Sequence, residues 1–101
     1  MTSLLSRLLR KNPNPTLSHL TFTLYTRPSC TCCQTALTLL QSHQRLHGFR
    51  VEEINVDSDP SLAALFGPSV PVITLNGKVR FKGLINPHLL HRLILAESRN
   101  F

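Results

Sequence analysis

The stretch Thr21-Phe22-Thr23-Leu24-Tyr25-Thr26-Arg27-Pro28-Ser29-Cys30-Thr31-Cys32-Cys33 decides how the chain reads. Its first half is β-branched and aromatic, which predicts a strand over residues 20–26. Arg27-Pro28-Ser29 closes that strand, and Ser29 has the side chain of a helix N-cap. From Cys30 to about His47 the apolar residues Cys33, Ala36, Leu37 and Leu40 recur at the spacing of one helical face. His43, Arg45 and His47 fall in the last turns, where cations suit the negative end of the helix, and Gly48 is a natural stop. A C-x-x-C pair, Cys30 and Cys33, therefore stands where a strand passes into a helix.

Downstream the grammar continues. Residues 49–57 alternate imperfectly, which predicts a strand with a phase slip or bulge. Asp59-Pro60 is an N-cap followed by proline at the first helical position, so a short helix is expected over residues 62–66, ended by Gly67. Two apolar segments, 70–75 and 79–82, flank Asn76-Gly77, the dipeptide of a type I′ hairpin turn. Asn86-Pro87 then caps a last helix whose apolar stripe is Leu89, Leu90, Leu93, Ile94 and Ala96. The order β-α-β-α-β-β-α predicts an α/β fold with a central mixed sheet flanked by helices, because a strand-helix-strand unit brings a parallel pair and a hairpin an antiparallel one.

The chain has 101 residues, enough for one core and too few for two. Charged residues are 16% against a typical share of about 25%, which argues for a folded domain over a disordered tail. Residues 1–17 read as a basic amphipathic arm, with Leu4, Leu5, Leu8 and Leu9 on one stripe beside Arg7, Arg10 and Lys11, before a domain spanning 18–101. Such an arm fits a mitochondrial transit segment or a mobile basic extension. All three cysteines lie between positions 30 and 33, which excludes the spread disulfide framework of a secreted mini-protein and favours a reducing compartment, the cytoplasm first and the mitochondrion as alternative. No run of about 18 apolar residues occurs, so no membrane span is expected. The net charge is +6 and the first acidic residue is Glu52, but aromatic residues are only 6%, too few for a base-stacking surface. Specific nucleic-acid binding is not expected, and the protein is expected to be a monomer.

The chemistry rests on the cysteines. Cys30 falls at the helix start, where unpaired N–H groups and the positive end of the dipole favour a thiolate, the nucleophilic form. Cys33, one turn on, shares its face and can attack a mixed disulfide on Cys30. Arg27 adds a cation that lowers the thiol pKa further and offers two donors to a partner's carboxylate. Cys32 points to another face and reads as a bystander. Two alternatives stay open: the three cysteines as small core filler, or Cys30 and Cys33 as soft ligands that handle Cu(I), Zn or an iron–sulfur cluster. The histidine pairs His43/His47 and His88/His91 have ligand spacing but read as solvated or capping groups, so no metal site and no tightly bound cofactor is assigned. Hydrolysis is disfavoured because no general base can be named beside Cys30. In Ser69-Val70-Pro71-Val72-Ile73 a proline opens an apolar strand, with either peptide isomer open.

Taken together, the strand Phe22-Thr23-Leu24-Tyr25, the motif Arg27-Pro28-Ser29-Cys30-Thr31-Cys32-Cys33, the Ser69-Val70-Pro71 strand start and the hairpin leading to Gly83 resemble a small glutaredoxin-like protein of the thioredoxin superfamily, over residues 20–96. The resemblance implies a thioredoxin-like fold and thiol-disulfide exchange, with Cys30 attacking and Cys33 resolving. It implies a cis Val70–Pro71 bond whose backbone pairs with a bound peptide or glutathione, and a glutathione carboxylate at Arg27. Disulfide-bearing proteins or glutathione, the latter as cosubstrate, are the implied partners. Two departures stand out: Thr31-Cys32 replaces the usual residues between the cysteines, and Lys82-Gly83-Leu84-Ile85-Asn86 lacks the Gly-Gly pair and acidic residue that meet glutathione in the family.

Overall fold

The computed structural model describes residues 17–99. Its elements are β1 (Thr21–Thr26), α1 (Thr31–His47), β2 (Arg50–Asn55), α2 (Pro60–Phe66), β3 (Val72–Leu75), β4 (Lys78–Lys82) and α3 (Pro87–Arg99), with 3₁₀ turns at Val56–Ser58 and Gly67–Ser69. The sheet order is β2-β1-β3-β4. Strand β1 pairs in parallel with β2, from Thr21 opposite Arg50 to Thr26 opposite Asn55, which requires the α1 crossover. It pairs antiparallel with β3, whose partner β4 follows through Asn76-Gly77. Both turn residues have positive φ, 50° and 89°, as a type I′ turn demands. The expected α/β architecture with a mixed sheet is the one observed.

Alternation along the inner strands divides the core into two layers. Phe22 and Leu24 of β1 and Ile73 and Leu75 of β3 face α1 and α3, where they pack with Ala36, Leu40, Leu90 and Ile94. The opposite face sends Tyr25 and Val72 to Val56, Leu62 and Phe66 around α2. Leu17 belongs to the first layer, only 2% exposed, and its N–H donates to the His47 carbonyl. The amphipathic stripe expected over residues 4–11 lies outside the described residues.

One expectation is corrected here. The β2 register against β1 runs unbroken, without the predicted bulge; the irregularity lies between β3 and β4, at Ile73/Thr74. The broken alternation has another origin: Phe49 and Val56 are buried just outside the strand, and the edge residues between them are mostly exposed. Among the described residues no helix is long and apolar enough to cross a membrane.

Candidate functional site

The cap of α1 differs from the sequence expectation. Ser29 has φ of 62°, a left-handed conformation incompatible with the extended backbone of an N-cap, so it serves as the turn that reverses the chain after β1. Cys30, at φ −99° and ψ 108°, is the cap, and Thr31 is the first helical residue. The capping acceptor is a sulfur: Cys30 Sγ receives the Cys33 backbone N–H at 3.2 Å. This contact holds the Cys30 sulfur over the open end of the helix, where N–H groups have no intrahelical partners.

The three cysteines occupy three environments. Cys30 is partly exposed, Cys32 exposed and Cys33 buried, and all three are free thiols. Burial pushes the Cys33 thiol up to about 11, with its hydrogen bond to the Cys30 side chain adding to the rise and a hydrogen bond from the Arg27 backbone opposing it. Cys33 is therefore a protonated thiol at neutral pH, and its backbone N–H is the group that contacts the Cys30 sulfur. It lines a depression of about 240 Å³ together with Thr26, Arg27, Ser29, Glu53 and Asn55. Cys32 lines a separate apolar recess of about 130 Å³ with Thr35, Leu39, Leu84 and Ile85.

Arg27 is engaged within the protein. Its Nε donates to Asp57 Oδ1 at 3.3 Å and its Nη2 lies 3.2 Å from the same oxygen. Asp57 is itself positioned by its N–H, which donates to Asn55 Oδ1 at 2.9 Å. Behind the guanidinium lies Gly67, where an added Cβ would stand 3.0 Å from Nη2. Gly67 has helical dihedrals, so the glycine serves close approach and not backbone freedom. Arg27 thus pairs with the 3₁₀ turn that follows β2 and lies against the 3₁₀ turn that carries Ser69.

The Val70–Pro71 bond is cis. Its loop is fastened from the far side by one amide: Gly83 N–H is shared between the Ser69 carbonyl at 3.2 Å and the Pro71 carbonyl at 2.8 Å, with Gly83 at φ 77°. Val70 is half-buried against the α2 cluster. The sequence singled out Arg27, Ser69, Val70 and Pro71, but not Asp57 or Gly67, which determine where the Arg27 charge sits. The helix-ending role assigned to Gly67 concealed its second use.

The histidine pairs are re-sorted by tertiary structure. His43 and His47 of α1 meet His91 of α3, while His88 stays out of the group. Burial and then the neighbouring rings push both His43 and His47 below the ordinary histidine range.

A mixed sheet with a parallel β1–β2 pair, a cis proline opening β3 and a cysteine pair at the start of the first helix define a thioredoxin-fold protein. Solved structures agree. A mutant thioredoxin from Halobacterium salinarum matches at 23% identity with a TM-score of 0.61, covering 80% of this chain and 78% of its own. A structural-genomics target protein from X. campestris matches at 25% identity and 0.61, covering 74% and 96%. The oxidized mitochondrial thioredoxin 3 of Saccharomyces cerevisiae matches at 19% and 0.58, covering 94% and 89%. The chain belongs to the glutaredoxin-like domain family (DUF836), whose model matches residues 21–95. No curated protein matches the sequence significantly.

Proposed function

We propose that the protein is a thiol-disulfide oxidoreductase in which Cys30 attacks and Cys33 resolves. The observation that carries this reading is the split between the two sulfurs: Cys30 partly exposed at the helix cap, Cys33 buried behind it and hydrogen-bonded to it. The Cys30 thiolate attacks one sulfur of a substrate disulfide, forming a mixed disulfide and expelling the other substrate sulfur as thiolate. Cys33 then loses its proton and attacks Cys30 Sγ, expelling the second substrate thiolate, which takes up a proton. The substrate gains two electrons, and the protein is left with a Cys30–Cys33 disulfide. Two equivalents of an external thiol, with glutathione the natural candidate, reduce that disulfide and close the cycle.

In this reading the substrate backbone is received along Ser69-Val70-Pro71, where the Val70–Pro71 bond is cis. Arg27 offers its remaining donors to a substrate carboxylate, in competition with Asp57. The side chains before α3 supply no negative charge: Asn86 Oδ1 caps the helix by accepting from the His88 and Leu89 N–H groups. This favours disulfide-bearing proteins over free glutathione as the oxidised substrate. A reducing compartment suits the chemistry, with the cytoplasm favoured over the mitochondrion. The test is turnover of insulin disulfides and of a glutathionylated peptide. Cys30→Ser is expected to reduce both to background, and unchanged turnover would overturn the assignment.

A further inference from the structure

Helices α1 and α3 carry a second constellation, remote from the thiols. His43 and His47 stand one turn apart on α1 with nearly parallel rings, 6.4 Å between centroids and 15° between planes. The His91 ring of α3 closes the triangle, 6.0 Å from His43 and 6.5 Å from His47. One ring nitrogen from each residue lies within 4.8 Å of the others. At the centre of the problem is His43 Nδ1, which is buried and has no hydrogen-bond partner. A buried polar atom without a partner is costly, and coordination through that nitrogen would satisfy it.

We propose that His43, His47 and His91 form a binding site for a borderline divalent transition metal, with Zn²⁺ as its representative. Three imidazoles without a carboxylate select zinc, copper or nickel over magnesium or calcium. Tetrahedral zinc with Zn–N bonds near 2.0–2.1 Å needs nitrogens about 3.3 Å apart, so no side of the triangle has to contract by more than roughly 1.5 Å. His91 is exposed, and rotation of its ring can supply most of that movement. The fourth position is left to water or an external ligand. Because two ligands come from α1 and one from α3, the metal staples the two helices that cover one face of the sheet.

The site is distinct from the cysteines: His43 lies thirteen positions after Cys30, about 20 Å along the helix. That separation makes the proposal independent of the redox reading. The experiment is Zn²⁺ titration of the reduced full-length chain by competition with a chromophoric chelator, alongside Co²⁺ absorption spectra. One equivalent of Zn²⁺ is expected per chain, with a metal-dependent rise in thermal midpoint. The Co²⁺ spectrum is expected to lack thiolate charge-transfer bands. His91→Gln, at an exposed position that does not threaten folding, is expected to weaken binding at least about tenfold while leaving disulfide turnover unchanged. Absence of binding, equal binding by His91→Gln, or thiolate bands from the single bound Co²⁺ would each overturn the site.

Discussion

The two ends of α1 use one helix for different chemistry. At its amino-terminal end Cys30 replaces an oxygen cap with a sulfur that accepts the Cys33 N–H, and the next helical turn holds a second, buried sulfur. At its carboxyl-terminal end the same helix presents His43 and His47 to a ring from α3. The first arrangement is local: residues within four positions of each other create it. The second is tertiary, since nothing near His43 in sequence announces His91. The proposed reactivity at one end thus depends on a helix cap, and the proposed metal assembly at the other depends on how two helices pack over the sheet.

Substitutions at each end should act without affecting the other. The largest effect is expected for Cys30→Ser, which should abolish disulfide turnover yet leave zinc affinity and thermal stability close to those of the parent. A parallel loss of zinc binding would show that the two ends are one site. His91→Gln should give the mirror result, a loss of zinc affinity with turnover intact.

A subtler effect concerns the buried sulfur. Folding raises the Cys33 thiol from 9.0 to about 11, chiefly through burial, so the folded chain holds that proton more tightly than the unfolded chain does. The stability this contributes is fully present below 9.0 and is lost as pH rises towards about 11. Urea midpoints followed from neutral to alkaline pH should therefore fall, and Cys33→Ser should flatten that fall. An unchanged slope in Cys33→Ser would assign the alkaline loss to another group.

The smallest effect is expected at Gly67. An alanine methyl would press on the Arg27 guanidinium, whose flexible end can yield, and the exposed Arg27–Asp57 pair is worth at most about 1 kcal/mol. Gly67→Ala should thus lower stability by less than about 1 kcal/mol while changing KM for substrates with a free carboxylate. A KM that does not move would remove Arg27 from substrate binding.

The parts of the fold legible in the sequence are those fixed by neighbouring residues. Asp59 and Asn86 accept helix N–H groups, Gly48 takes the left-handed position after α1, and Asn76-Gly77 makes the hairpin. The C-x-x-C pair at a helix start was legible for the same reason. What eluded reading depends on distant partners or on a choice between adjacent residues. Ser29 is the better cap by composition, but the chain needs a left-handed residue to leave β1, and Cys30 inherits the cap. Arg27 reads as a free cation until the turn after β2 brings Asp57 to it. His88 and His91 look alike in sequence, and only the packing of α3 on α1 selects His91.

The division of labour between the sulfurs is tested most directly by trapping. The parent chain and Cys33→Ser are each exposed to glutathione disulfide at neutral pH, quenched with acid and mapped by peptide mass spectrometry. The account predicts a lasting glutathione adduct on Cys30 in Cys33→Ser and an internal Cys30–Cys33 disulfide in the parent. An adduct confined to Cys32, or one that persists on Cys30 in the parent chain, would contradict it.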